Sequence, residues 1–211
     1  MISGLVALLL IVLSGACLLR PSIRARYLFH ELETLQLGYS TFEDAQKLAK
    51  KIDASVYGPC DRSGCTWEKR IDNGQLPRWW RGSGEVFEVG FTVKNSLVTR
   101  KYTGFGIEGA RIDAFSPSAV WFDEQEHWGT PDRGNMHEPV AAGWSTTDLF
   151  RYYRFSVRMT PYATAEERRR YTAFDYTCMW RYRGCKDARE LLPTADSFPS
   201  ANEKAAPSRN P

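Results

Sequence analysis

Two histidines and a set of acids share one stretch, "FDEQEHWGTPDRGNMHEP", residues 122–139. His127, Asp132, His137 and Glu138 have the donor types for a divalent metal or for a general acid and base. Asp123, Glu124 and Glu126 add further carboxylates. Neither H-x-H, H-E-x-x-H nor D-x-D-x-D-G is completed, so the chemistry would rest on folding rather than on a short motif. A polar loop with this composition and no chemistry is the competing reading.

Four cysteines form two close pairs, Cys60 with Cys65 and Cys178 with Cys185, spaced C-x4-C and C-x6-C. An even count of this kind fits two structural disulfides in an oxidising compartment. Three pairings are possible, and local pairing is the simplest. Free buried thiols and a four-thiolate zinc site are the rivals, although zinc knuckles usually use shorter spacings than the second pair offers. The fifth cysteine, Cys17, lies in an apolar segment.

Aromatic residues make up 13% of the chain, seven of them Trp. In "LPRWWRGSG", "EHWG", "RYYRFSV" and "CMWRYRG" they alternate with arginine. Rings on an exposed sheet face stack on sugars or bases, and arginine binds phosphate or carboxylate. Trp79, Trp80 and Trp128 are the candidates for glycan binding. Cross-strand packing under arginine stems explains the same pattern without a ligand. A net charge of +3 over 211 residues is too small to point to nucleic acid. No G-x-S-x-G elbow occurs, and "GFGIEGA" completes neither a dinucleotide fingerprint nor a P-loop. No cofactor is implied.

These residues must be positioned by elements, and the N-terminus sets their compartment. Residues 1–19 carry no charge and would form about 28 Å of helix at ~1.5 Å per residue, close to a bilayer core of about 30 Å. A single-pass anchor over residues 1–20, with the lipid bilayer as partner, is the leading expectation. A cleaved signal peptide fits Ser14 and Ala16 before Cys17, and a lipoprotein acylated at Cys17 is the third option. Arg20, Arg24 and Arg26 follow the apolar run and favour a cytoplasmic domain, whereas the cysteines favour an extracytoplasmic, periplasmic one.

The spacing of Ile23, Tyr27, Leu28, Leu32 and Leu35 predicts a juxtamembrane helix within 21–39, stopped at Gly38. A capping box of Ser40 and Glu43 opens a second helix, whose apolar stripe is Phe42, Ala45, Leu48, Ala49 and Ile52. From Cys65 the period becomes two. Strands are expected at "CTWEKRIDNG", "EVFEVGFTV", "LVTRKYTGFGI", "ARIDAFSPSAVWF", "LFRYYRFSVRM" and "YTAFDYTCMW". "ATAEERRRY" reads as a short helix or long turn, and "KDARELL" as a short helix ending at Pro193. The expected fold is α+β: an N-terminal transmembrane helix, two helices, an antiparallel meander of five or six strands covered by a helix, and a short C-terminal helix. Residues 40–193 form the single domain, and 194–211 a disordered tail.

The apolar leader, "LETLQLGYSTFEDAQKLA", Cys60 and Cys65 with Trp67, and "RGCKDARELLP" together resemble a set of small bacterial membrane-anchored proteins without assigned activity. The resemblance spans most of residues 1–193 and implies an envelope location. "LQLGYSTFEDAQKL" is also similar to a helix opening in the small outer-membrane-assembly lipoprotein family. The expected role is non-catalytic binding or scaffolding, with an envelope protein or glycan as partner. A hydrolase built on residues 123–138 and a glycan-binding module are the alternatives.

Overall fold

The computed structural model describes residues 21–72, 84–108, 117–125, 139–147, 152–181 and 185–198. Helix α1 covers residues 21–33, and α2 covers Phe42–Ile52. Seven strands follow: β1 (Ser55–Tyr57), β2 (Gly64–Asp72), β3 (Gly84–Lys94), β4 (Leu97–Glu108), β5 (Pro117–Gln125), β6 (Val140–Thr147) and β7 (Tyr152–Met159). Helix α3 (Ala165–Thr172), a 3-10 turn (Tyr176–Trp180), helix α4 (Ala188–Leu191) and a second 3-10 turn (Pro193–Ser197) complete the described chain.

The meander expectation is overturned by the sheet. Its order is β1-β2-β3-β4-β5-β7-β6, and β5 pairs with β7 in parallel. All other neighbours are antiparallel. After β5 the chain passes to the edge, lays down β6, and returns as β7 between the two. The three-residue strand β1 and the eight-residue strand β6 had no place in the expected set. "YTAFDYTCMW" is not a strand, because Tyr176–Trp180 winds into a 3-10 turn capped by the Asp175 carboxylate.

The expected transmembrane segment at residues 1–20 lies outside the described residues. Among the described residues, no helix is long and apolar enough to cross a membrane. Helix α1 is not a solitary juxtamembrane element. Ala25, Leu28, Leu32 and Leu35 enter the common core, whereas Ile23 and Tyr27 are exposed. Gly38 does mark the break, with a φ of 75° that a side chain would resist.

Helix α2 forms over the expected stripe, with Ala45, Leu48, Ala49 and Ile52 buried. Its capping box sits one residue later than expected. Thr41 accepts from the Asp44 amide, and the Asp44 carboxylate accepts from the Thr41 amide at 2.9 Å. The Ser40 hydroxyl instead accepts from the Gln36 amide. The β3–β4 hairpin turns at Asn95 and Ser96, both at positive φ, which suits a tight two-residue loop.

Strand alternation sorts the sheet into two faces. Trp67, Phe87, Phe91, Phe105, Phe122, Phe155 and Val157 point to one side and are buried. The helices and turns lie on that side. Phe42 packs on Trp67, Phe29 on Phe122, Tyr176 on Phe87, and Phe198 on Phe155. Burial of this face is the main stabilising contribution, at about 25 cal/mol per Å² of apolar surface removed from water.

Both cysteine pairs are disulfides, Cys60–Cys65 and Cys178–Cys185. That removes the zinc reading, which needs four thiolates around one ion. The first bridge ties the 58–63 loop to the start of β2. The second closes the loop after the Tyr176–Trp180 turn, beneath the apolar face, where Cys178 and Cys185 are buried. Bridges of this kind persist in oxidising compartments, so the sulfur chemistry points to an extracytoplasmic environment. Pro193–Ser197, which the sequence assigns to the domain's end and the start of the tail, forms the second 3-10 turn and buries Ala195.

One buried ion cluster sits among the apolar side chains. Lys101 points to the helical side of β4 and donates to the Leu35 carbonyl at 3.0 Å. Its Nζ lies 3.2 Å from Glu124 Oε2 and 3.5 Å from Glu33 Oε1. Arg168 of α3 reaches the other Glu124 oxygen at 2.6 Å. Glu124 is 2% exposed, so each positive partner offsets part of its desolvation. The cluster fastens α1 and α3 to the sheet.

Candidate functional site on the uncovered sheet face

The opposite face of the sheet has no helical cover among the described residues. It presents Glu68 and Arg70 from β2, Glu88 and Gly90 from β3, and Arg100, Tyr102 and Gly104 from β4. Trp121, Asp123 and Gln125 follow from β5, then Arg154, Ser156 and Arg158 from β7, and Ala141, Gly143 and Ser145 from β6.

Two glycines shape the centre of this face. A Cβ at Gly90 would lie 2.2 Å from the Tyr102 ring, and one at Gly104 would lie 2.8 Å from the Trp121 ring. The rings therefore lie flat over bare backbone on the neighbouring strand. They stack on each other with centroids 5.2 Å apart and 15° between their planes. The Tyr102 hydroxyl donates to Glu68 Oε2 at 2.9 Å, and the Arg100 guanidinium lies 5.1 Å from the Tyr102 centroid. Burial, followed by the Glu68 hydrogen bond, pushes the Tyr102 hydroxyl above its ordinary range, so it stays a donor. Glu88 is raised as well, first by burial and then by the nearby Glu68 charge.

Next to the ring pair lies a cavity of about 290 Å³, lined by Arg100, Trp121, Asp123, Gln125, Arg154, Ser156 and Arg158. Arg100 and Asp123 form a two-pronged ion pair, Nε to Oδ1 at 3.0 Å and Nη2 to Oδ2 at 2.6 Å. That fork fixes both planes and consumes the Asp123 charge. Arg154 and Arg158 line the β7 side. The Arg154 Nε is buried and has no hydrogen-bond partner among the described residues.

The residues singled out from the sequence fall elsewhere. His127, Asp132, His137, Glu138, Trp79, Trp80 and Trp128 lie outside the described residues. Asp123 and Glu124, read as loop acids, are strand residues of β5. Asp123 faces the groove, and Glu124 faces the buried cluster. Among the described residues, no group of three or more His, Cys, Asp or Glu could hold a metal. Of the arginine–aromatic stretches, "RYYRFSV" supplies Arg154 to the groove. Tyr102, Trp121 and Arg100 were not singled out. Their signal was glycine at alternate positions of "RKYTGFG", on the strand face that carries Arg100 and Tyr102. Glycine inside a strand marks a close approach.

Comparison of the chain with known protein families, with curated proteins and with solved structures finds no match.

Proposed function

We propose that this chain is a non-catalytic binding protein of the bacterial envelope, using the uncovered sheet face to hold a glycan. The half-buried Trp121 ring, laid flat over Gly104 beside the groove with the buried Tyr102 ring stacked against it, carries this reading. A flat aromatic surface next to hydrogen-bonding side chains is what the C–H face and hydroxyl edge of a sugar require. The two disulfides support an oxidising location. The apolar leader of residues 1–20 supplies the route out of the cytoplasm. Scaffolding of an envelope protein on the same face is the neighbouring possibility, and the assay separates the two.

The test is retention of the full chain on insoluble cell-wall glycan stripped of protein. Wild type is retained, and Trp121→Ala, with an unchanged unfolding midpoint, elutes in the wash. Equal retention of both, or no retention of either, contradicts glycan binding by this face.

A further inference from the structure

We infer that the outward face of α1 rests on the surface of an anionic lipid bilayer, with Ile23 and Tyr27 at the boundary of headgroups and acyl chains and Arg24 on lipid phosphates. The inference is independent of the glycan reading and concerns the other side of the sheet.

Charge is the first ground. Arg20, Arg24 and Arg26 are the only charged side chains among the first thirty residues. Of the 28 Lys and Arg, these three leave 25, which balance the 25 Asp and Glu. The chain's whole surplus of +3 therefore falls within residues 20–26. A basic excess beside an apolar run is what anionic headgroups attract. Arg26 is partly engaged by the fold, its guanidinium 5.7 Å from the Tyr176 ring and near Asp175. Arg24 is exposed and is the residue assigned to phosphate.

The outward face is the second ground. Helix α1 buries Ala25, Leu28 and Leu32 in the core. Ile23 and Tyr27 lie one turn apart on the opposite side and remain 60% and 42% exposed. Tyrosine suits a membrane surface, since its ring is apolar and its hydroxyl stays wet. The acids that follow on α1 are already engaged, Glu31 with Lys51 at 2.7 Å and Glu33 with Lys101 at 3.5 Å. They offer little opposition to a negative surface.

Connection is the third. Residues 1–19 carry no charged side chain, and Arg20 alone separates them from Pro21, where α1 begins. One residue reaches about 3.8 Å. Lipid is the solvent that such a run favours, and there it would hold the first turn of α1 at headgroup depth. Two apolar side chains are too few for the roughly 800 Å² per partner of a stable protein interface. A tethered domain, in contrast, needs only a weak surface contact, because the tether keeps its local concentration high.

The placement orients the molecule. Helix α1 packs on the apolar side of the sheet through Phe29 on Phe122. With its outward face on lipid, the face that carries Trp121 looks away from the bilayer.

The test places the full chain in nanodiscs of phosphatidylglycerol or of phosphatidylcholine, each containing a lipid with a paramagnetic headgroup, and reads amide NMR broadening. His30 is about 14 Å along α1 from Pro21 at ~1.5 Å per residue, so a tether alone does not hold it at the surface. In phosphatidylglycerol, Tyr27, His30 and Lys51 should broaden, and the Trp121 indole should not. In phosphatidylcholine, or at about 1 M salt, the ratio of docked to undocked domain should fall at least about fivefold. Arg24→Gln should lower it about fivefold in phosphatidylglycerol, the loss of one surface cation. Ile23→Glu with Tyr27→Glu should abolish the His30 broadening and keep the unfolding midpoint. Equal broadening in the two lipids overturns the anionic surface. Broadening confined to residues 21–24 means tethering without docking and overturns the face. A double variant that broadens like wild type overturns the roles of Ile23 and Tyr27, and broadening at Trp121 in place of α1 overturns the orientation. Neither variant should alter retention on cell-wall glycan, so this inference and the glycan reading fail separately.

Discussion

Replacing Gly90 by alanine probes the construction of the uncovered face. The new methyl would stand 2.2 Å from Tyr102 Cζ, 2.4 Å from the hydroxyl and 2.5 Å from Cε1. The ring cannot yield cheaply, because it is 7% exposed, bonded to Glu68 and stacked on Trp121. Displacing it forfeits a hydrogen bond to a charged acceptor, about 1.5–3 kcal/mol. It also disturbs a ring stack of about 0.5–1.5 kcal/mol and a cation–π contact of about 0.5–1 kcal/mol. Alanine returns roughly 0.5–1 kcal/mol of backbone entropy. Partial relaxation leaves a net loss of about 2–4 kcal/mol. At a urea m-value of about 2 kcal/mol/M, the midpoint should fall by about 1–2 M. Urea unfolding with the disulfides intact, followed by tryptophan fluorescence, measures it. Gly143→Ala, where the space is open, should be neutral or stabilising by up to about 1 kcal/mol. In a Tyr102→Ala background, Gly90→Ala should cost almost nothing. A wild-type midpoint for Gly90→Ala, or the same cost in both backgrounds, refutes the reasoning.

Four other outcomes follow from the same geometry. Cys178→Ser with Cys185→Ser should destabilise by roughly 2–3 kcal/mol, read as a urea midpoint. Under limiting reductant, Cys60 should be alkylated before Cys178, since Cys60 is exposed and the second pair is buried; the reverse order in peptide mass spectra contradicts the placement. Glu88 has a raised carboxyl, so the folded state holds its proton to higher pH than the unfolded chain does. Stability from this group is present below the unfolded value of 4.5 and is lost as pH rises through the folded one. Glu88→Gln should therefore be more stable than wild type at pH 7 and level with it at pH 3; a gain at both pH values contradicts the assignment. Lys101→Met leaves the buried Glu124 with Arg168 alone and should cost about 3 kcal/mol by thermal or urea unfolding. Adding Glu124→Gln should recover part of that loss, and a Lys101→Met chain as stable as wild type contradicts the cluster's role.

Local order in the sequence made part of this fold readable. Phe87, Val89, Phe91 and Val93 alternate cleanly, and Asn95-Ser96 tolerates positive φ, so the β3–β4 hairpin was legible. Helix α2 was legible from its stripe. Its cap was misplaced because "STFED" holds two overlapping capping boxes, and propensity does not choose between Ser40–Glu43 and Thr41–Asp44. The parallel pairing of β5 and β7 was not legible, since strand order depends on long-range packing rather than on period. Strand β6 was hidden by small residues, Ala141, Ala142 and Gly143, which carry little β preference. Tyr176–Trp180 was read as a strand because Tyr, Cys and Trp favour strands. The Asp175 cap and the Cys178–Cys185 bridge wind it into a 3-10 turn instead. The site depends on the illegible step, for only the inserted β7 brings Arg154 next to Trp121.

The most direct measurement maps where solubilised cell-wall fragments touch the folded chain, by amide and side-chain NMR shifts at saturating fragment. The account predicts perturbations at the Trp121 indole, the Arg100 and Arg154 side chains and the β6–β7 backbone, with α1, α2 and α4 unmoved. Shifts centred on the helices, or a spectrum left unchanged by every fragment, would contradict it.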